Sequence, residues 1–398
     1  MNFWFKLSPG QLLALKLLDG KTTVRELIYK IDTCIPQSLQ KTCIQFIESL
    51  ASNYPSESLE LAKPELVSTI YFVLTSECNS RCVYCFRDLD GSSAYLDKNL
   101  IKDTILSFKK ISTENPTIVY TGGEPCLFPN LMDIVNYAKE INIENTLQTN
   151  GSMINQENAQ LYADTFDTIQ ISLDSTNEEI NDWLRGKKGH YKAVSEAIPS
   201  LLKHNVKVRL AATITKKNFN DILNIKKNFP DVEFQFTPML QIGKGKKYSW
   251  LAFSPEEFLE HIANLPHKDY FAVDSLVKFG TKSQMCGAGT SVLSISEKGD
   301  VYPCQMLHHP DFCCGNIKTS SLETIYHTSE TISKFRNLKV DMLDGCKDCD
   351  IRYICAGGCR ANAFWMNHDV LDKDYFCQYN KELYFYNMAN MFTEVNIN

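Results

Sequence analysis

No stretch of the 398-residue chain approaches eighteen uninterrupted apolar residues, so no membrane-spanning helix of ordinary length is expected. The start, MNFWFKLSPG, has no basic segment leading into an apolar run and a small-residue cleavage site, and the chain is read as cytoplasmic. No run of Lys and Arg forms a stripe that could follow a phosphate backbone, and the formal net charge is −6, so nucleic acid is not the expected partner. There is no internal repeat of fixed period. What is abundant is cysteine: fifteen, bunched rather than spread. In a large chain without an export signal, bunched cysteines read as metal ligands, not disulfides. A composition of 44% hydrophobic and 22% charged residues is ordinary for a globular chain of two or three domains.

Residues 1–51 carry helical periodicity in three short stretches: Leu12, Leu15 and Leu18; Val24, Leu27, Ile28 and Ile31; and Leu39, Cys43, Phe46, Ile47 and Leu50. Residues 52–66, with two prolines and three serines, read as a linker. From residue 67 the pattern changes to short β-rich runs alternating with helical stretches: STIYFVLTSE, TIVYTGG, NTLQTNG, TIQISLDS, VKVRLAATIT and VEFQFTPM. This predicts an α/β fold, a partial (β/α)6 barrel over 67–283, with its chemistry at the C-terminal ends of the strands. Beyond about residue 284 regular periodicity fades and nine of the fifteen cysteines appear. A loop-rich segment that cannot build a large apolar core needs metal staples.

The stretch CNSRCVYC places Cys78, Cys82 and Cys85 after the first predicted strand. A structural zinc site takes four protein ligands in spaced pairs, and no His lies near to complete this one. Three thiolates suit an iron–sulfur cluster with one iron left open; buried or zinc-bound thiols are the alternative. The spacing C-x3-C-x2-C, with aromatic Tyr84 before the last Cys, resembles the signature of the radical S-adenosylmethionine (SAM) superfamily. The resemblance implies a 4Fe-4S cluster on the three thiolates, SAM chelated to its open iron, and hydrogen abstraction by a 5′-deoxyadenosyl radical. Gly122, Gly123 and Glu124 in GGEP end the second predicted strand and match the family's motif for the amino group of SAM; taken alone they would be a tight turn. Similarity to the same family assigns Ser172 in ISLDS and Arg185 in WLRG to the ribose or carboxylate of SAM, and Asn150 in QTNG to the same mouth. A strand-ending turn at Asn150 and an ion pair at Arg185 are the competing readings.

The later cysteines run Cys286-x12-Gly299-x4-Cys304, then Cys346-x2-Cys349-x5-Cys355-x3-Cys359, then Cys377. This resembles the seven-cysteine pattern of SPASM domains, placed at 284–378 with a C-terminal helix at 379–398. The resemblance implies two auxiliary 4Fe-4S clusters, three clusters in all. Cys346, Cys349, Cys355 and Cys377 would hold one; Cys286, Cys304 and Cys359 would hold the other. Fully ligated relatives carry a further cysteine several residues before the position of Cys286, and FGTKSQM has none. Either an iron is open, or Cys313, Cys314, His308 or His309 completes the set. An open iron could take a substrate thiolate. Cys34, Cys43 and Cys126 read as ordinary buried cysteines, and the remaining histidines, His190 among them, as structural or exposed.

The segment LSPGQLLALKLLDGKTTVRELIYKI resembles the winged-helix, leader-binding domains of enzymes that modify ribosomally made peptides. Only NFWFKL precedes the helices, so most of the sheet to which a leader would add is missing. Residues 1–60 hold six Lys/Arg and six Asp/Glu, a balance that does not favour DNA. Together these readings point to an oxidoreductase, a radical SAM/SPASM peptide maturase like the thioether-forming synthases. Its expected partners are a precursor peptide and an electron donor such as a flavodoxin or ferredoxin. Carbon–carbon crosslinking is the near alternative. A formylglycine-forming enzyme ranks lower, because that group has an acid after the cysteine matching Cys304 and Gln305 stands here. A non-catalytic redox carrier or sensor would leave GGEP and the barrel pattern without a purpose.

Overall fold

The computed structural model describes residues 24–53, 66–87, 95–263 and 286–384. They fall into two compact units, one holding 24–53 and the other the rest. In the first, helices Val24–Cys34 and Gln37–Asn53 are separated at Pro36, whose ring cannot continue the preceding helix. Their apolar faces bury Leu27, Ile31, Ile35 and Cys43, with Leu39, Phe46 and Ile47 packed against them. These are the second and third expected helices. The first, and residues 54–65 of the linker, lie outside the described residues.

The second unit is built on one sheet. Strands β1 (Val67–Val73), β2 (Ser112–Thr121), β3 (Glu144–Thr149), β4 (Thr168–Ser172), β5 (Lys207–Ile214) and β6 (Glu233–Pro238) pair in sequence order, every neighbour parallel. All six are the β-rich runs of the sequence. In β5 the period of two is plain: Val208, Leu210, Ala212 and Ile214 are buried and alternate with Lys207, Arg209 and Ala211. Helices return the chain between the strands and cover the outer face. The helix Lys98–Ile111 starts where the Asp97 carboxylate accepts from the N–H groups of Asn99 (2.9 Å) and Leu100 (3.0 Å), a cap that contributes about 1 kcal/mol. It buries Ile101, Ile105, Phe108 and Ile111 at helical spacing.

The sheet does not end with the sixth strand. Strand β7 (Val292–Ile295) pairs parallel with β1, Thr69 opposite Val292. Strands β8 (Asp300–Tyr302) and β9 (Gly315–Asn316) continue antiparallel, giving the order β6-β5-β4-β3-β2-β1-β7-β8-β9. The sequence does not reveal this extension, because strands of four, three and two residues are too short to display alternation. Cys286 and Cys304, which flank β7 and β8, therefore hang from the same sheet as the first three.

Candidate active site at the barrel mouth

The Cys78–Cys85 loop leaves the C-terminal end of β1 and is held mainly by backbone from other strand ends. Gly123 N–H donates to Thr75 O (2.8 Å) and Glu124 N–H to Glu77 O (2.7 Å). Arg81 N–H and Val83 N–H donate to Arg185 O and Leu184 O, both at 3.0 Å, and Lys244 N–H to Cys85 O at 2.9 Å. Such contact demands glycine. A Cβ on Gly123 would lie 2.1 Å from Glu77 O, and one on Gly186 2.2 Å from Arg81 O. The glycines of GGEP and WLRG thus let the chain close on its own cysteine loop.

Behind the loop, Arg185 Nη1 donates to Tyr84 Oη at 2.7 Å, and Tyr84 in turn donates to Asp174. Arg185 and Asp174 are 3.7 Å apart. Burial raises the Asp174 pKa, while Arg185 opposes the shift; burial likewise raises Tyr84. Glu124 is fully enclosed and accepts from Thr149 Oγ1 (2.6 Å), Asn150 N (2.8 Å) and Cys126 N (3.1 Å). Asn150 donates from its amide to Asn79 Oδ1 at 2.7 Å, inside the cysteine loop. Ser172, half-buried at the end of β4, donates to Thr149 O at 3.4 Å. The residues singled out in the sequence therefore meet at one end of the sheet, through partners it did not flag: Asn79, Thr149 and Asp174. His190 is fully buried, Nε2 2.9 Å from Asn150 O and Nδ1 3.0 Å from Asn181 Nδ2. Burial, with Arg185 adding, lowers its pKa to about 3.

In the C-terminal segment Gly299 (φ +91°) makes the turn between β7 and β8, which explains a glycine in that pattern. Cys286, Cys304 and Cys359 pack into one cluster with Leu307, Phe335 and Ala361. Burial pushes the Cys304 thiol up to about 12, and Cys286 adds to the shift. Cys346, Cys349, Cys355 and Cys377 form a second group: burial raises both Cys346 and Cys355, and Cys377 and Cys349 add to the shift of each. Two buried residues frame them: Asp374 accepts from Cys359 N–H (2.6 Å), and Arg360 donates to Val370 O (2.7 Å) and Asp372 O (2.6 Å). Of the candidates for a further ligand, Cys313 is exposed and Cys314 packs on the main core. His308 Nε2 is engaged with Ser294 Oγ at 2.8 Å, and the His309 ring lies 5.1 Å from Phe364.

Among the described residues no three His, Cys, Asp or Glu side chains converge where one metal ion could sit. The cysteines fall into three groups, three thiols at the barrel mouth and three and four beyond it, and all-sulfur donors of this kind fit iron–sulfur clusters rather than a single ion. A cavity of about 480 Å³ opens between the strand ends and the C-terminal segment. It is lined by Phe86 and Arg87, which follow Cys85, and by Gln305 and Met306, which follow Cys304.

Residues 72–227 match the family model of the radical SAM superfamily and residues 286–350 that of the SPASM iron–sulfur cluster-binding domain. The chain is 24% identical to an AdoMet-dependent heme synthase of Oleidesulfovibrio alaskensis, over 78% of this chain and 87% of the relative. It is 25% identical to a cysteine-type anaerobic sulfatase-maturating enzyme of Clostridium perfringens, over 81% and 96%. It is 28% identical to the subtilosin biosynthesis protein AlbA of Bacillus subtilis, over 65% and 59%. In fold it resembles the structure of native anSMEcpe with bound AdoMet and Cp18Cys peptide, with a TM-score of 0.67 and 22% identity over 83% of this chain and 99% of that one. The cysteine loop on a parallel sheet and the second cysteine series beyond it agree with these matches: the chain carries a radical SAM domain over 72–227 and a SPASM iron–sulfur cluster-binding domain over 286–350.

Proposed function

We propose that the protein is a peptide maturase that forms a crosslink, a thioether between a Cys sulfur and a carbon of an acceptor residue, in a ribosomally made precursor. The observation that supports this reading is a cavity bordered by the residues after both Cys85 and Cys304, where a substrate would lie between the first thiol loop and the auxiliary thiols. Cys78, Cys82 and Cys85 would hold the cluster that binds SAM, with Tyr84, Gly122, Gly123, Glu124, Asn150, Ser172 and Arg185 lining the SAM site. Such a cluster supplies reductive SAM cleavage and a 5′-deoxyadenosyl radical for hydrogen abstraction. Cys346, Cys349, Cys355 and Cys377 would hold one auxiliary cluster, and Cys286, Cys304 and Cys359 the other. An iron left open on the latter would hold the substrate thiolate deprotonated.

The chain's own part is to fix and to shield. The Gly123 and Gly186 contacts hold the thiol loop rigid, the Arg185–Tyr84–Asp174 group supports it from behind, and the cavity walls limit water around a radical. Domains of 1–51, 67–283 and 284–378, with a cytoplasmic location and an external electron donor, complete the reading. Gln305 lines the cavity and cannot accept a proton at neutral pH, which favours crosslinking over formylglycine formation.

The test is a search beside the gene for a short reading frame encoding a Cys-containing peptide, followed by anaerobic incubation of that peptide with the reconstituted protein, SAM and dithionite. Loss of two hydrogens, with one fewer alkylatable thiol, is the expected result. Turnover of SAM without any change in peptide mass would refute the maturase assignment.

A further inference from the structure

Four stretches separated in sequence, 78–87, 185–192, 216–217 and 243–250, hold eleven Lys and Arg and no Asp or Glu, in a chain of net charge −6. The fold gathers them. Arg81 N–H bonds Arg185 O, and Lys244 N–H bonds Cys85 O. Lys187 Nζ donates to Asn79 O at 3.3 Å, and Lys216 N–H donates to Leu251 O at 2.8 Å. The Lys217 ammonium lies 5.0 Å from the centre of the Trp183 ring, and that ring meets Tyr248 at 6.1 Å and Trp250 at 6.3 Å.

Two of the cations are neutralised, Arg185 by Asp174 and Lys216 by Glu257. Arg81, Lys188, Lys217, Lys246 and Lys247 are exposed. So are Trp183 (40%) and Trp250 (62%). Of the neighbouring acids, Asp182 is taken up by the N–H groups of Gly189 and Tyr191, and Glu178 and Glu179, in the first turn of the Trp183 helix, are exposed and outnumbered by these cations.

We infer that this face, the outer side of the cysteine loop, is the docking surface for an acidic one-electron carrier protein. An apolar aromatic centre inside a charged rim is the anatomy of a transient protein interface, and its sign selects an acidic partner. The inference rests on the SAM cleavage proposed above, which consumes one electron per SAM. That electron would come from a reduced flavin or iron–sulfur protein, oxidised in the exchange, and would be taken up by the cluster that Cys78, Cys82 and Cys85 would hold. Position argues for a carrier rather than a peptide. Stretches 185–192 and 243–250 are bonded directly to the thiol loop, and although Arg87 and Lys246 border the cavity, Trp183, Lys188, Lys217 and Trp250 lie away from it.

The experiment measures 5′-deoxyadenosine release by the reconstituted protein with electrons from dithionite, or from a reduced bacterial flavodoxin of net negative charge. For the Lys188→Glu/Lys217→Glu/Lys247→Glu variant the dithionite rate should stay within about twofold of wild type, while half-saturation needs about tenfold more flavodoxin. Salt should raise the wild-type requirement and not the variant's. Replacing the same three lysines by Arg should restore wild-type behaviour, and Trp250→Ser, which removes an exposed ring, should raise the requirement about threefold. Equal flavodoxin requirements in wild type and charge-reversed protein would overturn the inference. So would a loss of affinity for the precursor peptide instead, which would make this a peptide-docking face. Failure of the wild type with dithionite would sink the underlying SAM reading separately.

Discussion

Arg185, at the end of the helix Glu178–Arg185, reaches across to donate to the hydroxyl of Tyr84, the residue before Cys85. The bond ties the fourth strand's crossover to the cysteine loop through side chains. Two backbone bonds, Arg81 N–H to Arg185 O and Val83 N–H to Leu184 O, tie the same segments again. Tyr84→Phe removes only the hydroxyl and leaves Arg185 and Asp174 buried without their bridge. It is expected to cost about 1–3 kcal/mol in chemical denaturation. Sulfide content should hold, since all three thiols remain, but SAM should bind several-fold more weakly. Unchanged stability would mean that the three residues do not act together.

Removing thiols should separate the two cysteine series. Cys82→Ala should abolish 5′-deoxyadenosine formation, because it leaves the first loop with two thiols for a cluster that needs three. Cys349→Ala should keep part of that activity and lose peptide product, since Cys349 belongs to the distant group of four. Iron and sulfide assays check the cause: each variant should lose about one cluster's worth, so the two differ in activity and not in cluster content. Full SAM cleavage by Cys82→Ala would contradict the assignment of the loop.

Gly123→Ala and Gly186→Ala should each cost about 3 kcal/mol or more, because the new methyl would sit 2.1 Å and 2.2 Å from carbonyl oxygens of the cysteine loop. Gly189→Ala provides the control. Its φ is +75° but nothing lies within 4 Å of the added Cβ, so only the left-handed backbone term applies, about 1–2 kcal/mol. Denaturation midpoints, together with sulfide content after reconstitution, would show whether close approach or backbone angle governs these positions.

The order of these effects shows what a sequence can disclose. The six long strands are visible because β-branched runs recur with helical stretches between them, and Cys78, Cys82 and Cys85 because their spacing is local. Glu124, by contrast, stands in a recognisable motif whose carboxylate turns inward to Thr149 and Asn150, residues 25 and 26 positions away. Asp174 and Asp374 carry no local signature at all. Each is an ordinary acid until the fold buries it against Arg185 or the Cys359 amide. The basic face escapes notice for the same reason: no single stretch is a charge run, and only the fold, which gathers 185–192, 216–217 and 243–250 beside the loop 78–87, makes it one.

Acid should destabilise the protein well above the range in which carboxylates titrate. His190 and His308 are both buried, and burial first, with a neighbouring Arg adding, lowers each pKa from 6.5 to about 3. In the unfolded chain these rings take up protons near pH 6.5, while the folded chain refuses them until about pH 3. Unfolding therefore gains protons across that window, and stability falls as pH drops through it. For His190 the loss is about 2 kcal/mol at pH 5 relative to neutrality. His190→Gln cannot be protonated, so its denaturation free energy should decline less between pH 7 and pH 5, by about that amount. Parallel pH profiles for wild type and variant would show that His190 is charged in the folded state, and that its contacts with Asn150 and Asn181 do not hold the neutral ring.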